Sequence, residues 1–269
     1  MLEANNKRKL ILLDMKSIVD NLQLSILLVG AGARILVFDN RYNIEGRATT
    51  DLDFAVKVNN WLDFHTLSTE MTQGANPCFR HTKIQHRFIH ISTHIEVDIV
   101  PFGAIGEPNQ EIQWSNGTKM SIVGFNEAFS TAESLVIEDI EFKVVNLPTL
   151  IVLKLIAWND RKATKDLEDI YFVLKNYNDD NRVFVELVDE LSQGLVEYEE
   201  TGSFLIGRDI RNNFSSATIE QLIKIISQIL QKRNSLFPQL ISRTVEPDEW
   251  NIRFDTIVRF FEALDKGIG

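Results

Sequence analysis

The chain has 269 residues, 44% hydrophobic and 25% charged, with a net charge of −10 and a pI near 5.1. That is enough chain for a sizeable core and two lobes, its composition is close to the soluble globular average, and no apolar run reaches the length of a membrane span. An acidic chain is poorly suited to strong non-specific nucleic-acid binding, although Lys154, Arg161, Lys162, Lys165, Arg208 and Arg211 are candidates for a local basic groove.

Residues 5–22 read as an amphipathic helix, because Ile11, Met15, Ile18 and Leu22 follow one stripe. The run 10–13 is too short for a signal sequence and is closely followed by Asp14 and Lys16. Residues 25–29 form a short apolar strand, and Gly30 and Gly32 open a helix over 31–38. A second strand is expected over 52–58 and a helix over 61–73. The lone Cys78 excludes an internal disulfide and a Cys-rich zinc site, and reads as a buried thiol in a reducing cytoplasm. Strand-like runs follow at 84–92 and 94–100. The stretch 101–118 carries Pro101, Gly103, Gly106, Pro108 and Gly117 and reads as an irregular loop. A strand at 141–145 precedes Pro148, which sits well at the first position of a helix running to Trp158 or beyond. Helical spacing continues over 164–177, 182–200, 217–233 and 247–266. The expected class is α+β, with a small mixed sheet and helices in residues 1–146 and an all-helical lobe in 147–269.

The chemistry concentrates in two places. Val29-Gly-Ala-Gly-Ala-Arg34 is followed by Arg47-Ala-Thr-Thr-Asp-Leu-Asp53. Residues two apart on a strand share a face, so Asp51 and Asp53 offer two oxygen ligands beside a small-residue turn with room for phosphates. That is a layout for Mg2+ on a nucleoside triphosphate. In the segment 94–99, Ile95, Val97 and Ile99 alternate with His94, Glu96 and Asp98, so an acid on this strand could complete a two-metal site for in-line phosphoryl displacement. Its carboxylate could also take the proton of the attacking hydroxyl. His94 shares that face but has no partner His at ligand spacing.

These residues resemble the polymerase-β-like nucleotidyltransferase superfamily. The resemblance rests on Gly-Ala-Gly-Ala-Arg, on Arg-x-Thr-x-Asp-Leu-Asp-Phe and on Glu-Val-Asp-Ile-Val-Pro-Phe. It implies a Gly-rich turn over the triphosphate, with Gly30, Ala31, Gly32, Arg47 and Thr50 around the nucleotide. It also implies Asp51, Asp53 and Asp98 as ligands of two Mg2+ ions, with Asp98 preferred to Glu96 because Asp98-Ile-Val-Pro101 fits the family pattern. Ala31 stands where the family usually has Ser or Gly, which removes a hydroxyl donor. Asn40–Gly46 is expected to form an extended loop over the site.

The second place is the segment 153–170. On one continuous helix Lys154, Trp158, Arg161, Lys165 and Asp169 would form a single stripe, suited to an anion. The bland alternative is a solvated face with Lys162–Asp166 and Lys165–Asp169 pairs. The pattern of Lys154, Arg161, Lys165, Asp166 and Asp169 resembles the AbiEii-like toxin branch of type IV toxin–antitoxin systems. That resemblance implies nucleotide contacts for Lys154, Arg161 and Lys165 and a required Asp166, with Asp169 orienting the helix or pairing with a cation. It also implies a strand lysine, for which Lys83 and Lys143 are candidates. Trp61, Trp114, Trp158 and Trp250 read as packing residues, with Trp158 set apart by its place on the stripe.

The resemblance implies a cytoplasmic, Mg2+-dependent enzyme that transfers a nucleoside monophosphate from an NTP to a hydroxyl of RNA, notably tRNA, or of a protein. A cognate antitoxin would be its partner, and no membrane is involved. The alternatives are a small-molecule nucleotidyltransferase of the antibiotic-modifying kind and a catalytically inactive nucleotide-binding module.

Overall fold

The computed structural model describes residues 2–44, 46, 51–242 and 246–269. They fall into two compact units, 1–146 and 147–269. No helix among the described residues is long and apolar enough to cross a membrane.

In the first unit, α1 (Leu2–Asn21) buries Ile11, Leu12, Met15 and Val19. Then come β1 (Ser25–Val29), α2 (Gly30–Arg34), a π-helical turn over Ile35–Asp39 and α3 (Asn40–Tyr42). β2 (Leu52–Lys57), α4 (Trp61–Gln73), β3 (Phe79–His81), β4 (Arg87–His90) and β5 (Glu96–Phe102) follow. The unit closes with β6 (Glu111–Gln113), β7 (Lys119–Ser121), α5 (Phe125–Thr131), β8 (Glu133–Ile137) and β9 (Ile140–Val144). Seven strands form one mixed sheet in the order β3-β4-β5-β2-β1-β9-β8. β1 is central and buried along Ile26–Val29, which is why it reads as an unbroken apolar run. It pairs antiparallel with β2 and parallel with β9, while β2 pairs parallel with β5. α4 starts where the Asn60 side chain accepts the Asp63 N–H at 3.1 Å.

Several expectations change here. The helical run from Gly30 continues to Tyr42, so its last residues do not belong to an open loop. The π turn has a local cause: Arg34 and Asp39, both buried, pair at 3.1–3.2 Å, and a five-residue separation comes onto one side when the helix widens to a π turn. Within 101–118, Glu111–Gln113 is a strand that pairs with Lys119–Ser121 as a separate two-stranded sheet. His94 has φ +60 in the turn before β5 and is not on the strand. The edge strands β3 and β8 carry little sequence signal, since β3 is three residues long and β8 is mostly exposed.

The second unit is helical: α6 (Leu147–Arg161), α7 (Thr164–Asn176), α8 (Asp180–Glu186), α9 (Val188–Ser192), α10 (Thr201–Asn213), α11 (Ser216–Gln231), α12 (Arg233–Leu236) and α13 (Pro247–Ile268). The expected helix over 182–200 is two short helices and a 3-10 turn, and α10 lies between the segments expected to be helical. α10 and α13 pack closely because Gly207 and Gly267 face each other; a Cβ on either would overlap the other helix's backbone. Below them Val183, Leu187, Val196, Phe204, Leu205 and Ala263 form a common core. The helix expected to run through 153–170 is broken. Lys162 adopts φ +51 and Ala163 is extended, so α6 and α7 are separate helices packed on one another.

Candidate functional site

The sheet register assembles a row of side chains. Asp53 on β2 is the parallel partner of Asp98 on β5, and Asp98 is the antiparallel partner of Arg87 on β4. Register partners point to one face, so Asp53, Asp98 and Arg87 stand side by side across three strands. Asp51 lies one residue before the ladder, on the same side of the chain as Asp53. Arg87 donates from Nε and Nη2 to the two Asp98 oxygens at 2.7 and 2.8 Å, and its Nη1 lies 2.8 Å from Glu96 Oε2. These bonds, that to Asp98 foremost, raise the Arg87 pKa further, with the charges of Glu96 and Asp51 adding to the effect. Arg87 is therefore the permanent cation of an acidic cluster. It was not singled out in the sequence, because only the antiparallel pairing of β4 with β5 brings it beside the acids.

Gly30 explains how the turn and the acids fit together. It has φ +70, and a Cβ there would overlap the Asp53 carboxylate. Glycine is needed both for the backbone conformation and for the space that carboxylate occupies. Ala31 and Gly32 follow, buried, in the first turn of α2. Lys143 is the register partner of Leu27, which in turn pairs with Ala55, two residues after Asp53. It thus lies on the face of the acids, with its ammonium over the Phe129 ring at 4.8 Å. Lys83 is exposed in the turn before β4. Arg47 and Thr50 lie outside the described residues.

In the second unit the motif residues form a cluster across α6 and α7. Lys154 Nζ is 2.5 Å from Asp169 Oδ2 and 3.6 Å from Asp166 Oδ1. Arg161 donates from Nε and Nη2 to the two Asp166 oxygens at 2.7 and 2.5 Å. Asp166 is fully buried and Asp169 is 3% exposed, while the Arg161 side chain keeps 47% of its surface. Lys165 is exposed and makes no hydrogen bond or ion pair among the described residues. The single stripe is therefore corrected: the break at Lys162 turns α7 back so that Asp166 and Asp169 meet Arg161 and Lys154, and neither of the expected pairs with Lys162 or Lys165 forms. Trp158 is 1% exposed, with Lys162 over its ring at 4.1 Å, a contact that helps offset the left-handed backbone at Lys162. The other groove candidates are also engaged locally: Arg208 pairs with Glu190, and Arg211 donates to the carbonyls of Ile268 and Gly269.

A sequence model of the family described as nucleotidyl transferase AbiEii toxin, type IV toxin–antitoxin system, matches residues 36–265. The chain belongs to this AbiEii family. Among solved structures, an antigenic nucleotidyltransferase-like protein from Paracoccidioides brasiliensis is similar at 13% identity, covering 70% of this chain and 88% of its own, with a TM-score of 0.36. A likeness that loose carries no argument about the site. Comparison with curated proteins gives no match.

In this AbiEii chain no group of three His, Cys, Asp or Glu among the described residues is arranged to hold a metal by itself. Mg2+ does not require one, since it is usually held by one or two carboxylates together with water and substrate phosphates. Asp53 and Asp98 are register partners and Asp51 lies two residues from Asp53, so carboxylates of the kind Mg2+ takes share one face, with both Asp98 oxygens held by Arg87.

Proposed function

We propose that the chain is a Mg2+-dependent nucleotidyltransferase toxin that moves a nucleoside monophosphate from an NTP onto a hydroxyl of RNA, notably tRNA, or of a protein. The observation that carries this reading is the packing of the Asp53 carboxylate against Gly30, with Asp98 as its neighbour on the next strand. Asp51, Asp53 and Asp98 are the residues that would hold the ions. Bound Mg2+ would polarise the phosphates and stabilise the attacking and leaving oxygens.

The acceptor oxygen forms a bond to the α-phosphorus, the α–β bridging P–O bond breaks, and pyrophosphate leaves with the electron pair. The hydroxyl proton passes to a carboxylate of the row. Asp98 serves this role once Arg87 moves off it, because both its oxygens otherwise carry Arg87 donors. Gly30, Ala31 and Gly32 bring backbone N–H groups to the phosphates, as helix starts do for anions. On the second unit, Arg161, half exposed and held by two hydrogen bonds to Asp166, and Lys165 are cations suited to an anion, with Lys154 pairing with Asp169 beside them. A cognate antitoxin would restrain the activity in the cell.

The test is incubation with each labelled NTP, Mg2+ and total bacterial RNA. Label on RNA or on a protein, lost in Asp53→Ala, supports the reading. An Asp53→Ala protein as active as the parent would sink the metal assignment. NTP binding with no transfer under any condition would leave only a nucleotide-binding module.

A further inference from the structure

A cavity of about 440 Å³ opens at the β3 edge of the sheet, between α4, β3 with its following turn, and the β6 end of the small sheet. That is within the range of about 300–1,000 Å³ that small-molecule sites occupy. His81 on its wall pairs with Phe88, so it faces away from the row of Asp98 and Arg87. The wall is built from Trp61, Trp114, His65, His81, Gln85 and Gln113. The two indoles meet edge to face at 5.3 Å, and Phe64 braces both at 5.9 and 5.7 Å. Trp114 is 5% exposed and Trp61 is half-buried, so the ring cluster is fixed while one indole stays accessible.

We propose that this cavity is a subsite for an unpaired base of an RNA acceptor, a step that rests on the transferase reading above. Three observations select that ligand. First, rigid indoles offer the stacking platform that a nucleobase needs whatever its sequence. Second, the Gln113 amide and the His65 imidazole are exposed and make no hydrogen bond among the described residues, whereas His81 and Gln85 are already bonded to Thr72 and Ser115. An amide offers a donor and an acceptor side by side, which matches the edge of a base. Third, Lys83 in the turn after β3 is exposed, with no ion pair among the described residues. In a chain of net charge −10, an exposed lysine between the lining residues Thr82 and Gln85 of an aromatic cavity suits a phosphate of a single strand. An aromatic peptide side chain would fill the cavity and leave Lys83 without a purpose. Trp61 and Trp114 thus have a use beyond packing.

The test is anisotropy of a labelled, unstructured hexaribonucleotide of mixed sequence, titrated with the full chain without NTP or metal. The parent binds it better than duplex RNA or free nucleoside monophosphates. Trp61→Ala weakens binding between about 5-fold and 150-fold, as loss of a stacked base does, and Trp61→Phe largely retains it. Lys83→Glu lowers the salt slope by about 1. Should Trp61→Ala fail to fold, His65→Ala and Gln113→Ala at exposed positions carry the same comparison. No hexamer binding, duplex binding as tight, or a folded Trp61→Ala that binds like the parent overturns the proposal. NTP-dependent labelling of RNA that is unchanged in Trp61→Ala refutes the subsite and leaves the transferase standing. Hexamer binding at this cavity with no transfer to any acceptor refutes the transferase and leaves an RNA-binding pocket.

Discussion

Lys154→Met isolates what the α6–α7 ion cluster does. Methionine keeps the buried stem and removes the ammonium that lies 2.5 Å from Asp169 and 3.6 Å from Asp166. Arg161 still serves Asp166, while Asp169, 3% exposed, loses this ammonium. Removing one partner of a buried pair costs about 3–5 kcal/mol, and with the Lys154 side chain only 12% exposed the solvent discount is small. That is a large part of a total stability of about 5–15 kcal/mol, and corresponds to a fall in Tm of roughly 10–20 °C for a domain of this size. Urea unfolding measures it. The double variant Lys154→Met/Asp169→Leu should recover about 2 kcal/mol relative to the sum of the singles, because it removes both charges together. A Lys154→Met protein that loses less than about 1 kcal/mol with an unchanged m value would refute the structural role and leave ligand contact as the reason for the lysine. Stability must be measured before any loss of transfer in this variant is assigned to chemistry.

Gly30→Ala puts a methyl group where the Asp53 carboxylate lies and forces φ +70 on a residue with a Cβ. It should cost about 1–3 kcal/mol and lower transfer by about 100-fold through a misplaced Asp53, so an active Gly30→Ala enzyme would argue against the site. Arg87→Met removes the cation shared by Asp98 and Glu96 and should destabilise by about 2 kcal/mol. Mg2+ should then raise the Tm of the variant more than that of the parent, and equal shifts would count against a metal site there. Burial, and then Glu262, raise the Asp265 pKa. A carboxyl whose folded pKa is raised weakens the fold while charged, and the loss disappears as pH falls through the folded value. Asp265→Asn should therefore be more stable than the parent at neutral pH and lose that advantage on acidification; a constant difference across pH would refute the assignment.

Apolar patterning carried the interior strands and most long helices. Ser25–Val29 is one apolar run and central, and Trp61–Gln73 starts behind an Asn cap. Elements that bury little were not legible: β8 presents mostly exposed side chains and β3 has three residues. The break at Lys162 was invisible for a different reason. Asp160-Arg161-Lys162-Ala163 contains neither Gly nor Pro, and the left-handed residue is held by contacts that exist only after folding, Lys162 on Trp158 and Asp166 on Arg161.

The same distinction separates the residues of the site. Asp51 and Asp53 share a face through local strand geometry, so spacing alone marks them. Asp98 becomes their neighbour only through the β2–β5 register, and Arg87 only through β4–β5. A lone acid strand could have lain anywhere in the sheet. Once β5 lies beside β2, a third carboxylate on one face raises the electrostatic cost of the cluster, and a permanent cation on the next strand offsets it. Arg87 suits that part better than lysine, because its fork engages Asp98 with two nitrogens and Glu96 with the third. An incoming divalent ion would take over the role for Asp98, and the guanidinium would keep Glu96 as its partner.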